Sequence, residues 1–110
     1  MAQSDYKLYM IRMKNGNLYT GISNDVDKRF KTHCSGKGAK CLRGASELEL
    51  VWRSDESFTK SEALSLEYRI KHRCDKHTKL LIVYCQPKNL RCFLEMTPTQ
   101  RSGLLKAKVA

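Results

Sequence analysis

Between Leu8 and Asp25 the chain reads LYMIRMKNGNLYTGISND, two apolar runs around Asn15-Gly16. Asn-Gly between such runs is a strong hairpin signal, because tight hairpin turns need positive φ and these residues tolerate it. Register then matters, since a slip of one residue moves every side chain to the other face of the sheet. A two-residue loop would pair Arg12 with Tyr19 and put Tyr9 and Tyr19 on opposite faces. A three-residue loop, Lys14 to Gly16, pairs Ile11 with Tyr19 and brings both phenols to one face. Gly16 then takes the left-handed position of a G1 bulge. The second arrangement is predicted.

The remaining elements follow from capping residues and periodicity. Lys7–Met13 and Asn17–Ser23 read as strands. Asn24 or Asp25 offers an N-cap, and Val26, Phe30 and His33 recur at helical spacing, which predicts a helix to about Cys34. The stretch SGKGAKCLRGAS reads as a basic, glycine-rich loop. In ELELVWR, Glu47–Arg53, alternation puts Leu48, Leu50 and Trp52 on one buried face of a third strand. Thr59 and Glu62 form a T-x-x-E capping box that opens a helix with the apolar stripe Ala63, Leu66, Ile70 and Cys74. Asp75 caps a further helix that ends near Gln86-Pro87. The order is β-β-α-β-α-α. The expected class is α+β, a three-stranded antiparallel sheet flanked by helices. Residues 1–86 are expected to make one domain and 87–110 a C-terminal extension, loosely ordered or docked.

The chain has 110 residues and a formal charge of +10, from 21 Lys plus Arg against 11 Asp plus Glu. That length supports one modest core, and that charge favours polyanionic partners, nucleic acid above all. The basic residues concentrate in KRFKTH, GKGAKCLRG and YRIKHRCDKHTK. No apolar run is long enough to span a bilayer, so no membrane partner is expected. The polar start MAQSDYK shows no secretory signal. Five cysteines without CxxC spacing argue for reduced thiols rather than a disulfide framework. A reducing compartment, cytoplasm or nucleus, is expected. Cys74 with His77, or Cys34 beside His33, has no matching pair to complete a zinc site.

Several polar residues stand out on spacing alone. Arg29 and His33 are one helical turn apart and share a face. For Arg29 the alternatives are a phosphate clamp or a surface ion pair with Asp25. For His33 they are water activation or packing beside Phe30. Glu67 borders the apolar stripe of its helix, so it points along an interface, into a cleft or onto a metal. Its bland alternative is a partner for Arg29 or a surface lysine.

Taken in order, Tyr9 in LYM, Tyr19 in YTG, Arg29 and His33 in KRFKTH, and Glu67 in the later helix resemble the GIY-YIG nuclease domain. The likeness runs from about Tyr6 to Tyr84. It is nearest to small single-domain members from bacteria and large DNA viruses, on LYTGISNDVDKRFKTH, SGKGAKCLRG and EALSLEYRIK. There are departures. Ile22 stands where some relatives carry a lysine just after the second motif. Asn89 is the nearest counterpart of an asparagine that some homing-type relatives carry near the end of the domain.

The resemblance implies a metal-dependent endonuclease that hydrolyses DNA phosphodiesters, with branched or damaged DNA as candidate substrates, leaving 5′-phosphate and 3′-hydroxyl ends. The alternative is a non-catalytic basic nucleic-acid-binding module. By resemblance Tyr9, Tyr19, Arg29, His33 and Glu67 are the catalytic set. Tyr19 is the base or a link to it, and Tyr9 orients water. Glu67 holds one divalent cation, Mg2+ or Mn2+. A phenol with a pKa of about 10 needs nearby positive charge to act as a base. Gly21 keeps a side chain away from the site, and Lys37, Lys40 and Arg43 face the phosphate backbone. DNA is expected over RNA, and a larger DNA-processing assembly or a homodimer is compatible. Repair, recombination and viral replication are all processes that such an activity serves.

Overall fold

Lys7–Arg12 (β1) and Leu18–Ser23 (β2) pair antiparallel with Ile11 opposite Tyr19 and Tyr9 opposite Gly21. Met13 N–H donates to the Asn17 carbonyl at 2.9 Å, which leaves Lys14, Asn15 and Gly16 as the loop. Gly16 takes φ +87°, a conformation only glycine adopts without strain. This is the predicted three-residue register. Tyr9 and Tyr19 share a face, with ring centroids 6.3 Å apart.

The computed structural model describes residues 4–37, 42 and 47–109, with side chains through residue 104. After the hairpin come α1 (Val26–Cys34), β3 (Glu49–Arg53), α2 (Lys60–Arg73), α3 (Lys76–Cys85), α4 (Leu90–Glu95) and α5 (Pro98–Val109). The α+β class and the order β-β-α-β-α-α are those expected, with α4 and α5 following. The sheet order is β2-β1-β3, so β1 is central. Its residues Leu8, Tyr9, Met10 and Ile11 are all 0–1 % exposed. Helices cover one face and the site packs on the other, which is why this strand reads as an unbroken apolar run.

Leu8 and Met10 belong to the larger core, with Trp52, Ala63, Leu66, Ile70, Leu81, Ile82 and Phe93 from β3 and α2 to α4. Tyr9 and Ile11 belong to a smaller cluster with Val26 of α1 and Leu42. One expectation is corrected here. Leu48, Leu50 and Trp52 do not share a face. Met10 pairs with Trp52 but Ile11 pairs with Leu50, so β3 carries one extra residue, Val51, at a bulge. The extra residue inverts the alternation. Trp52 enters the larger core while Leu48 and Leu50 pack on the smaller one.

The helix starts are set by their caps. Asp25 accepts from Lys28 N–H, and Asp75 from Thr78 N–H. Thr59 and Glu62 form the reciprocal capping box that the sequence predicts. Asn89 caps α4 by accepting from Cys92 N–H at 3.0 Å. The C-terminal stretch docks through α4: Leu90, Phe93 and Leu94 are 1–5 % exposed, and Glu56 accepts from Leu90 N–H at 2.8 Å. Burying Phe93 alone contributes about 1.5–3 kcal/mol relative to leaving it in water. Among the described residues no helix is long and apolar enough to cross a membrane.

Candidate active site

The hairpin register brings Tyr9 and Tyr19 to the sheet face covered by α1. From that helix His33, 1 % exposed, meets them. The Tyr9 hydroxyl lies 2.8 Å from His33 Nε2. The His33 ring is 5.9 Å from the Tyr9 ring and 5.4 Å, edge-on, from the Tyr19 ring. The Arg29 guanidinium and Tyr19 stand beside the Tyr9 hydroxyl and both act on its titration. Arg29 is exposed and Tyr19 half-buried, so the cluster runs from a buried floor at Tyr9 and His33 to an open rim.

The electrostatics follow from that gradient. Burial, with Tyr19 adding to it, pushes the Tyr9 phenol from 10.0 up to about 12, although Arg29 pulls the other way. Burial also lowers His33 below its ordinary 6.5, and the Arg29 charge lowers it further. At neutral pH Tyr9 therefore keeps its proton and His33 is a neutral imidazole. A neutral imidazole bonded at Nε2 to a phenol can accept that phenol's proton. Tyr9 is 1 % exposed and its hydroxyl is committed to protein partners.

Gly21 earns its place by contact with Tyr9. A Cβ there would stand 2.5 Å from Tyr9 Oη and 2.6 Å from Cζ. The glycine lets the tyrosine ring lie across the neighbouring strand, which is a tighter requirement than room for substrate.

Glu67 lies on α2, and its connection to the tyrosines runs through Lys71. Its side chain is 20 % exposed, and Oε2 lies 3.6 Å from Lys71 Nζ, one turn on. The same ammonium sits over the Tyr19 ring, 5.2 Å from its centroid. Lys71 thus joins the carboxylate of α2 to the phenol of β2. The sequence offered Glu67 a surface lysine only in general; the structure identifies that lysine as Lys71 and places it on Tyr19. Ile22, at the position where some relatives carry a lysine, packs instead on the larger core. The cation beside Tyr19 comes from a different element.

Among the described residues no group of three or more His, Cys, Asp or Glu is placed to hold a metal. Glu67 offers one hard oxygen donor. That donor set does not fit zinc, which needs several nitrogen or sulfur ligands. It fits Mg2+ or Mn2+, which keep waters and take substrate phosphate oxygens to complete their shell. Cys34 and Cys92 are exposed free thiols, Cys74 is half-buried and Cys85 buried. Lys37 is exposed just beyond α1, whereas Lys40 and Arg43 lie outside the described residues. Between them Leu42, 1 % exposed, packs with Tyr9, Ile11 and Val26. Nothing in the sequence marked Leu42 as an anchor beyond its being the one large aliphatic residue there.

A three-stranded sheet that sets two tyrosines against the next helix, which carries Arg29 and His33, defines a small α+β domain. The profile described as the GIY-YIG catalytic domain matches residues 5–81. The chain belongs to the GIY-YIG family, a nuclease family. It is 51 % identical over 92 residues to the GIY-YIG domain-containing protein 242L of Invertebrate iridescent virus 6, covering 84 % of this chain and 92 % of that one. It is 41 % identical over 103 residues to the UPF0213 protein plu4503 of Photorhabdus laumondii, covering 94 % of each. The solution NMR structure of the UPF0213 protein BH0048 from Bacillus halodurans is similar at 33 % identity and a TM-score of 0.40, covering 88 % of this chain and 92 % of that one.

Proposed function

We propose that this protein is a divalent-metal-dependent endonuclease that hydrolyses DNA phosphodiesters and leaves 5′-phosphate and 3′-hydroxyl ends. The observation that carries the reading is the Tyr9–His33 hydrogen bond with Tyr19 and Arg29 beside it, and the Glu67–Lys71 pair against Tyr19. A metal held at Glu67 would supply a Lewis acid for the leaving oxygen and part of the phosphoryl charge.

The protein's own residues divide the rest of the work. Tyr19, half-exposed at the rim, faces the attacking water and takes its proton. It passes its own proton to Tyr9, and Tyr9 passes one to His33 Nε2. Each oxygen ends with one proton and the imidazole becomes imidazolium. Tyr9 need never become a phenolate, so its raised pKa does not obstruct the transfer. Its hydroxyl oxygen has two lone pairs, so it can take up the proton from Tyr19 while its own leaves for His33. Arg29 has five N–H donors. Those not turned to Tyr9 fork onto phosphoryl oxygens, where charge builds in the transition state. Lys37, Lys40 and Arg43 track the backbone of the nucleic acid.

The second reading is a binding module without catalysis, and the Glu67–Lys71 pair favours it, because a carboxylate with a lysine partner needs no metal. Incubation of labelled linear, flap, junction, nicked and single-stranded DNA, and of RNA, with Mg2+, Mn2+ or chelator separates the two. The enzyme reading expects metal-dependent cleavage of at least one DNA, with branched or damaged forms cut fastest. Uncut substrates that are nevertheless bound would leave the binding module. The exposed free thiols Cys34 and Cys92 support work in a reducing compartment, cytoplasm or nucleus.

A further inference from the structure

Lys71 makes two contacts with one ammonium: Glu67 Oε2 at 3.6 Å and the Tyr19 ring at 5.2 Å from its centroid. A surface lysine on a helix seldom has both a carboxylate and an aromatic face to hold it. Here the partners come from separate elements, α2 and β2, so the ammonium is fixed from two sides. It occupies the positive position beside the single carboxylate that a divalent ion would use.

We infer that Lys71 is a resident counter-ion that keeps the cation site at Glu67 closed until nucleic acid arrives. The inference rests on the reading of Glu67 as the metal carboxylate. A dication approaching Glu67 meets a unit positive charge 3.6 Å from Oε2. With one protein ligand it has little to offset that repulsion. A bound phosphate changes both sides of the exchange. It supplies further oxygen ligands to the dication, and it gives the ammonium another anion within reach of its flexible stem. Metal affinity and nucleic-acid affinity then rise together, as linkage requires. Lys71 is a positioning residue in this scheme, acting on the site through Glu67.

The test is Mn2+ binding to the full chain without nucleic acid, followed by electron paramagnetic resonance of the free ion. The variants are Lys71→Met, Lys71→Arg, Glu67→Gln and the Lys71→Met/Glu67→Gln pair. Methionine keeps the helix propensity and the apolar stem at this position, and far-UV circular dichroism checks that each variant is folded. The expected result is that Lys71→Met binds Mn2+ about tenfold more tightly than the parent, the scale of removing one adjacent charge in a partly hydrated site. Lys71→Arg stays at the parent affinity, and the double variant loses the gain. In the parent, a short oligonucleotide should raise Mn2+ affinity, and in Lys71→Met it should raise it less. If Lys71→Met binds no more tightly than the parent while Glu67→Gln binds more weakly, the counter-ion role is overturned and Glu67 keeps its metal. If Glu67→Gln matches its parent in both backgrounds, the metal reading of Glu67 fails and takes this inference with it.

Discussion

Tyr9 lies directly across from Gly21 in the β1–β2 ladder, so close that a Cβ on Gly21 would stand 2.5 Å from the phenol oxygen. Two residues of separate sequence motifs thus form one steric unit. The glycine is what allows the ring to lie flat enough to reach His33.

Gly21→Ala should therefore push Tyr9 off His33 rather than strain the backbone. Overpacking of this kind costs about 1–3 kcal/mol. Urea unfolding should show that loss, and the 2.8 Å bond between Tyr9 and His33 should lengthen or break in a structure of the variant. A Gly21→Ala protein with parental stability and the bond intact would refute the steric account.

His33 should titrate below its ordinary 6.5, because burial and then Arg29 disfavour its charged form. A group whose folded pKa is lowered contributes stability above its unfolded value and loses it as pH falls through the folded value. Stability should thus decline on the acid side of 6.5, and His33→Gln should flatten that decline. A histidine ring titration by NMR that places His33 at or above 6.5 contradicts the assignment.

Tyr9 predicts the opposite limb. Its folded pKa is raised from 10.0 to about 12, so its contribution is complete below pH 10 and fades as pH rises towards 12. Tyr9→Phe should remove this alkaline dependence. It also strips His33 Nε2 of a buried partner, at a cost of about 1–3 kcal/mol at neutral pH. Denaturation curves across the alkaline range measure both effects.

Much of this site was legible before any coordinates. The Asn15-Gly16 signal placed the hairpin and narrowed the register to two loop lengths, and the Lys14–Gly16 loop is the one that sets Tyr9 and Tyr19 on one face. The cap at Thr59 and the box with Glu62 set where α2 begins, and with it the phase of Glu67. The β3 bulge was not legible. Val51 is as good a strand residue as its neighbours, and nothing local says that it stands unpaired. A surface lysine was an expected alternative partner for Glu67, but that Lys71 is a neighbour of Tyr19 was not legible, since that contact depends on how α2 crosses the sheet. Leu42 and α4 share the same lesson: a few apolar residues in polar surroundings dock by long-range packing that periodicity does not register.

The docking of α4 carries its own prediction. Phe93 is 1 % exposed in the larger core, so Phe93→Ala should destabilise the fold by about 3–5 kcal/mol, and removal of residues 87–110 by more. Arg91, exposed on the same helix and paired with Glu62, should cost less than about 1 kcal/mol when replaced by alanine. Thermal melts of the two point variants distinguish a docked helix from an appendage.

Glu67→Gln provides the most direct test of the central claim, that phenol, guanidinium and carboxylate converge on one phosphodiester. Cleavage of a preferred DNA substrate in Mg2+ and its equilibrium binding in chelator should be measured side by side for the parent and this variant. The account predicts that cleavage falls by at least about a hundredfold, the scale on which a group acting at the transition state is lost, while binding in chelator stays within a few-fold. Cleavage that survives the substitution at parental rate, in a protein that still binds, would contradict it.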